Sequence, residues 1–419
     1  MRKIALLALF GVTLLGGCGS MGRTLPPPPP PPPPAPIPIP PPPPPEPMPM
    51  PTPVPVQAEP PLTTVAPPPS ADFELPCQKP LGKIQPVTLY YATNRGRTGS
   101  TQAESFYGYS NANALHFGIL NVTIPPDHKC GKVESSFTEV IVAPNPNNVM
   151  VLKEVRPLQP NAYFASIQQK VASSRRREIF VFIHGFNNSF KDAALRAAEL
   201  TFDLGFEGAP ILFSWPAKGG GVTGVVAYRD DRRRARESGI QLRIFLHMLA
   251  TRTGAEEIHV IVHSMGNYVL QNALSRDGEP WPIPALAPKL HEVVLAAADL
   301  GEDEVRVLAQ ALRRPDSARP HVTLYTSAND NALKASNTWN GRVPIGLIAG
   351  TVPAVAGVDV IDATALKCNF LAHSCFAEDP FSLLEMRALI TQQWAAAKRA
   401  WIAAKDGHWY FCGETCPIH

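Results

Sequence analysis

The hydrophobic pattern of this 419-residue chain changes character three times. Residues 4–15 are one apolar run, residues 26–69 are dominated by proline, and short apolar segments separated by polar turns begin near residue 87. Val87 to Thr93 and Leu115 to Ile124 read as strands rich in β-branched and aromatic residues, and Glu139 to Val142 as a third. Ile179 to Ile183 is apolar at every position, as a strand buried on both faces should be. From there the pattern alternates. It predicts a helix over Ala193 to Leu204, a strand over Pro210 to Trp215 and a long helix over Asp231 to Thr253. A strand over Ile258 to Val262 and a helix over Asn267 to Leu274 follow. Next come a strand over Glu292 to Ala297, a helix over Glu304 to Leu312 and a strand over Val322 to Thr326. Val358 to Ile361 reads as the last strand and Phe381 to Ala404 as a closing helix. Such alternation predicts an α/β protein, a mostly parallel sheet with helices on both faces. In such sheets the active site lies at the carboxyl ends of the strands.

The first apolar run is too short to span a bilayer, and Met1-Arg2-Lys3 precedes it as a basic n-region. It ends in Leu15-Gly16-Gly17-Cys18, which resembles a bacterial lipobox. That resemblance implies a signal peptide over 1–18 and lipidation of Cys18. With Gly19 and Ser20 following, and no Asp after the cysteine, it implies the outer membrane. Several acyl chains on one cysteine exceed the single-chain limit for stable anchoring. Residues 19–70 then read as a spacer, because 26–69 hold more than half of the chain's 48 prolines. Proline lacks the N–H and fixes φ, so this stretch forms neither helix nor sheet. As polyproline II it reaches on the order of 140 Å, enough to hold a domain off a membrane and into peptidoglycan or against an envelope protein. The globular part is expected over 71–405, followed by a cysteine-containing tail over 406–419.

Charge narrows the partners. A net charge of +3 gives no argument for nucleic acid. Beyond Cys18 the cysteines are Cys77, Cys130, Cys368, Cys375, Cys412 and Cys416, an even number that reads as disulfides in an oxidising compartment. Six cysteines allow fifteen pairings, and the economical one is Cys77–Cys130, Cys368–Cys375 and Cys412–Cys416. The rival for the last pair is a zinc site with His408 or His419. No other metal and no organic cofactor is implied.

The chemistry centres on Ser264, where the strand over 258–262 breaks at Met265-Gly266 into a helix. A serine at a strand-to-helix turn has its hydroxyl held out of the sheet, beside helix N–H groups that stabilise an oxyanion. Gly266 provides the small residue that close backbone approach requires. Val262 stands where G-x-S-x-G has its first glycine, and crowds the helix against the strand. A nucleophilic serine needs a base and an orienting acid. Asp330 and Asp299 each follow a strand, where an acid belongs, and each also suits a helix N-cap. Of the histidines after Asp330, His373 lies between Cys368 and Cys375, where a disulfide would hold its loop; His408 and His419 lie in the tail. His263 is adjacent to the serine but points to the opposite strand face, which suits packing or support.

Ile183-His184-Gly185-Phe186-Asn187-Asn188 follows a buried strand and resembles the His-Gly oxyanion loop of lipases and esterases. With it come Tyr91-Ala92-Thr93-Asn94-Arg95, Phe213-Ser214-Trp215-Pro216, Tyr228 with Asp231, and His263-Ser264-Met265-Gly266-Asn267. Asp330-Asn331-Ala332-Leu333 and His373-Ser374 complete the set. In this order, over about Val87 to Ile390, the chain resembles a bacterial esterase/lipase-like branch of the α/β-hydrolase superfamily. The resemblance implies a Ser264, Asp330 and His373 triad, so Asp330 takes precedence over Asp299. It implies an oxyanion hole from the Met265 and Phe186 N–H groups, with Asn187 adding a donor or fixing the loop. The expected activity is hydrolysis of small acyl esters without a cofactor. The alternative is a non-catalytic envelope lipoprotein that binds cell wall or a partner protein on the same scaffold. Arg232-Arg233-Arg234-Ala235-Arg236 reads first as an exposed helix face and second as a site for an anionic substrate. Gly219-Gly220-Gly221 upstream reads as a loop near the site mouth.

Overall fold

The computed structural model describes residues 74–135, 144–218, 224–313, 320–368, 372–412 and 416. The expected signal segment and spacer, the strand expected over Glu139 to Val142 and the triple glycine lie outside them. The described strands are β1 (Gln85–Arg97), β2 (Tyr107–Ile124), β3 (Val151–Leu158), β4 (Glu178–Ile183), β5 (Ala209–Ser214) and β6 (Glu257–His263). After them come a short ribbon, β7 (Ser275–Arg276) with β8 (Glu279–Pro280), then β9 (Leu290–Ala296), β10 (His321–Thr326), β11 (Val358–Asp362), β12 (Ile402–Lys405) and β13 (His408–Phe411). All but the ribbon form an 11-stranded sheet in the order β12-β13-β11-β10-β9-β6-β4-β5-β1-β2-β3. From β1 through β5, β4, β6, β9, β10 and β11 to β13 every neighbouring pair is parallel. Antiparallel partners close both edges.

The continuous apolar run in β4 is explained by two cores. Ile179, Val181 and Ile183 enter one, while Phe180 and Phe182 enter the other. The first core is filled from α1 (Pro160–Ser173), α4 (Gly239–Arg252), α5 (Gly266–Leu274) and α6 (Glu302–Leu312), the second from α2 (Phe190–Asp203), α8 (Cys375–Glu378) and α9 (Pro380–Gln392). A strand with a helix layer on each side has no solvent face, so alternation disappears from its sequence. Among the described residues no helix is long and apolar enough to cross a membrane.

Several expected elements are corrected. The long helix over Asp231 to Thr253 is two, α3 (Val225–Glu237) and α4, broken at Ser238. The Arg234 carbonyl accepts both the N–H and the hydroxyl of Ser238, and Asn94 Nδ2 donates to that hydroxyl at 2.9 Å. The break also lets Gly239 approach α5, where an added Cβ would lie 2.5 Å from Asn272 Cβ. The closing helix ends at Gln392, not Ala404. Gln393 takes a left-handed φ of 54°, with its N–H on Leu389 and that of Trp394 on Ala388. The alanine-rich stretch beyond has helical propensity, but burial of Arg399 against Glu385 takes it elsewhere. Val358–Asp362 is not the last strand, because the β12–β13 hairpin extends the sheet. The boundary expected after residue 405 cuts that hairpin, so the domain runs on through β13. Edge strand β3, with Pro157 inside it, and helix α1 were not legible as elements, since proline obscures a strand pattern.

All three economical disulfides are formed: Cys77–Cys130, Cys368–Cys375 and Cys412–Cys416. The bonded Cys412 and Cys416 offer no thiolates, which removes the zinc alternative.

Buried charge holds the segment after β2 onto α2. His128 Nδ1 donates to Glu134 Oε2 at 2.9 Å and Nε2 to Asp203 Oδ1 at 2.9 Å, so the ring carries two protons. Burial opposes that charge, but the hydrogen bonds to Asp203 and Glu134 outweigh it and hold the pKa up to about 9. A raised histidine pKa contributes stability that is complete below the unfolded value near 6.5 and lost as pH rises through about 9. We expect the unfolding free energy of the full-length protein to fall by roughly 3 kcal/mol across that window. Urea titrations over this range should show the slope, and His128→Gln should flatten it.

Candidate active site

Ser264 follows β6 with φ 52°, a left-handed value that a residue with a Cβ rarely takes. Its N–H donates to Ala296 O of β9 at 2.9 Å, and its carbonyl accepts from Asn267 Nδ2 at 2.9 Å. The sharp turn is made with Val262 in place. The Val262 side chain is fully buried in the core that α5 also fills. Room for the turn comes from two glycines: a Cβ on Gly266 would lie 2.5 Å from His184 O, and one on Gly185 would lie 2.9 Å from Ser264 Cβ. The β4 loop and the serine turn therefore touch backbone to backbone, which only glycine permits.

That loop is organised by Arg95, which is buried at the end of β1. Its Nε donates to Ser214 Oγ at 2.8 Å, and Nη1 to Gly108 O at 3.1 Å and Ala217 O at 2.8 Å. Its Nη2 donates to Asn188 O at 2.7 Å and His184 Nε2 at 3.3 Å. Burial, and then the Arg95 charge, push His184 down to about 3, so the ring is neutral and Nε2 accepts. Nδ1–H donates to Gly185 O at 2.9 Å. The ring stacks on Trp215, whose Nε1 donates to His184 O at 2.7 Å. Asp231 completes the frame by accepting from the Lys218 and Asn187 N–H groups. Among the described residues, the Met265 and Phe186 N–H groups donate to no internal acceptor.

Asp330, just after β10, caps α7 (Asn331–Asn340) through Oδ1, which accepts from Leu333 N at 2.8 Å. Its Oδ2 accepts from His373 Nδ1 at 2.8 Å. The capping and orienting readings of this aspartate are thus both satisfied, one by each oxygen. Burial lowers the His373 pKa, but the charge and hydrogen bond of Asp330 outweigh it and leave the pKa raised. Asp299 is turned elsewhere. Its two oxygens accept from Tyr228 and Ser336 hydroxyls, each at 2.5 Å. His263 supports His373: its Nε2 donates to His373 O at 3.1 Å, and its ring lies 4.7 Å from the His373 ring. The Cys368–Cys375 bond closes the loop that carries His373.

Ser264, His373, Phe186 and Asn187 line one cavity of about 530 Å³, walled also by Phe182, Phe376 and Trp339. Among the described residues no hydrogen bond joins the Ser264 hydroxyl to the His373 ring; such contacts often tighten only with substrate. The basic run on α3 follows its bland reading. Arg233 pairs with Glu237, Arg234 with Asp231 and Arg236 with Glu304, while Arg232 donates to Asn340. At the opposite end of the sheet, Glu178, Glu257 and His259 bring three possible metal-ligand atoms within 4.8 Å. Arg176 lies 3.3 Å from Glu257, and the two glutamates raise the His259 pKa against its burial. Glu178 Oε2 and both ring nitrogens of His259 are buried there without a hydrogen-bond partner among the described residues. Arg95 was visible in the sequence only within the resembling element Tyr91-Ala92-Thr93-Asn94-Arg95, and its role as the loop's anchor was not.

A mostly parallel sheet with helices on both faces, carrying a serine on a strained strand-to-helix turn, is that of an α/β hydrolase. Residues 159–393 match the family described as alpha/beta hydrolase of unknown function (DUF900), and the chain belongs to that family. No curated protein matches it. Among solved structures, the Pyrococcus furiosus esterase Pf2001 is 14% identical with a TM-score of 0.29, over 52% of this chain and 83% of that one. A protein called FAE is 12% identical with a TM-score of 0.28, over 72% and 88%. The class rests on the family match and the sheet.

Replacing Arg95 by Lys leaves a charge but removes the fork that serves several acceptors at once. We expect a loss of at least about 2 kcal/mol of stability, from orphaned buried acceptors, read by denaturant titration of the full-length protein.

Proposed function

We propose that this hydrolase cleaves carboxylic esters through Ser264, His373 and Asp330. The observation that carries the reading is the 2.8 Å contact of His373 Nδ1 with Asp330, on the wall of the cavity that Ser264 enters with φ 52°. Asp330 fixes the tautomer that leaves Nε2 free to accept the serine proton. The Ser264 oxygen attacks the acyl carbon, and the negative charge on the carbonyl oxygen is received by the N–H groups of Met265 and Phe186. His373 returns the proton to the departing alcohol. Water, deprotonated in turn by His373, then releases the acid from Ser264. The aromatic and aliphatic wall of Phe182, Phe186, Leu195, Trp339 and Phe376 suits an acyl chain.

The chain's place in the cell is part of the same proposal. Lipidation of Cys18 anchors it to the outer membrane, and residues 19–70 hold the hydrolase domain in the periplasm, within reach of peptidoglycan or an envelope protein. The lipobox and the proline-rich stretch support this. Cys18→Ser should move the protein from the membrane fraction to the soluble one; retention on membranes would overturn the anchor.

The catalytic reading is tested with p-nitrophenyl esters of increasing acyl length and the full-length protein in mild detergent. Ser264→Ala should lose at least about 10³-fold in kcat/KM. Because His373 acts neutral and its pKa is raised, activity should rise with pH through a value above 6.5. Asp330→Asn should lower both that pKa and the rate. Hydrolysis that survives in Ser264→Ala, or no fluorophosphonate labelling of the wild type, would sink the triad and leave a non-catalytic scaffold.

A further inference from the structure

Beside the catalytic cavity runs a second groove of about 450 Å³, lined by Lys129, Lys132, Val133, Arg196, Lys367 and Glu378. Val133 and Arg196 also line the catalytic cavity, so the two spaces adjoin across these side chains. Its charge is one-sided. Arg196 is spent on Glu199 at 3.1 Å and Glu378 at 3.6 Å. Lys129, Lys132 and Lys367 are exposed and have no ion-pair partner among the described residues. This contrasts with Arg232, Arg233, Arg234 and Arg236 of α3, each of which is engaged.

The lysines stand on fixed backbone. Cys130 and Cys368 tie the two walls into disulfides. Gly131, between Lys129 and Lys132, donates its N–H to Asp203 Oδ2 at 2.6 Å. It packs so closely that an added Cβ would lie 2.6 Å from Glu378 O. Carboxylates on the catalytic cavity's own wall are already bonded, Asp192 to Ser189 and Asp299 to Tyr228 and Ser336. With Glu378 paired to Arg196, the charges left over in the groove are positive, and such a cleft concentrates the opposite charge.

We propose that this groove receives an anionic group, a phosphate or a carboxylate, carried by the ester that Ser264 cleaves. The inference rests on the ester-hydrolase reading above and specifies its substrate class. The anion can sit on either side of the ester bond, so two matched pairs are needed. Mono(p-nitrophenyl) glutarate against p-nitrophenyl valerate places the charge on the acyl side. Butyryl glycerol 3-phosphate against monobutyrylglycerol places it on the alcohol side.

With the full-length protein, at least one anionic member should exceed its neutral partner in kcat/KM by about tenfold at low salt. The preference should shrink at 0.5 M sodium chloride, on the order of a 4 Å screening length, and disappear in the Lys129→Gln, Lys132→Gln, Lys367→Gln variant. Arg233→Gln, an equally exposed charge outside the groove, should keep it. Parity in both pairs, or a preference that the triple variant retains, would overturn the proposal. Ser264→Ala titrated calorimetrically with butyryl glycerol 3-phosphate and monobutyrylglycerol separates binding from turnover. Anion-selective binding lost with the lysines, without turnover in the wild type, would keep the groove and reject the ester reading. Absence of selective binding in both this titration and the kinetic pairs would reject the groove.

Discussion

A buried guanidinium brings five N–H donors into the protein interior, and each must find an acceptor there. Arg95 meets this demand with Ser214, Gly108, Ala217, His184 and Asn188. Those acceptors belong to the end of β5 and the segment after it, the start of β2 and the loop after β4. One side chain therefore sets the height of that loop above the sheet. His184 is kept neutral by the same charge, so it accepts from Arg95, stacks on Trp215 and donates to Gly185. With the loop fixed, Gly185 and Gly266 bring it against the serine turn, and the Phe186 and Met265 N–H groups are left as unspent donors. Phe186 and Ser264 meet in one cavity because a charge some distance away was satisfied first.

The same logic of satisfied charge runs through the rest of the domain. Asp231 spends its oxygens on backbone N–H groups, Asp299 on two hydroxyls, and His128 bridges two carboxylates that hold the segment before β3 on α2. Arg176 lies against Glu257 at the far end of the sheet. Against that background, the exposed lysines of the groove, without an ion-pair partner among the described residues, stand out by converging on one space. Buried charges that serve the fold are closed into networks, because leaving one unpaired in a low dielectric is costly. Exposed lysines over a rigid cleft bear no such cost, and remain available to a ligand.

Two departures from local sequence preference show tertiary contacts prevailing. Residues from Ala395 to Ala404 are rich in alanine and favour helix, yet they turn back as β12. Burying Arg399 with Glu385 and extending the sheet outweigh a propensity of a few tenths of a kcal/mol per residue. The helix over 225–252 is broken at Ser238 although its hydrophobic repeat continues. Asn94 holds the Ser238 hydroxyl, and Gly239 must pass close to α5.

The sequence by itself determined the alternation of strands and helices, the serine at the end of β6, the loop after β4 and the three disulfide pairs. These are local: they follow from side-chain periodicity, from small residues at turns and from economical cysteine spacing. It left Asp330 and Asp299 as equivalent on the residues alone, since both follow a strand and both suit a helix N-cap; only the family resemblance separated them. Tertiary structure decided between their surroundings. Ala297 turns with φ 46° and delivers Asp299 to Tyr228 and Ser336, while the Cys368–Cys375 loop brings His373 to Asp330. The role of Arg95 and the joining of Lys129, Lys132 and Lys367 into one groove were likewise decided in three dimensions. Their partners lie far apart in the chain, and no periodicity records which distant segments a folded sheet brings together.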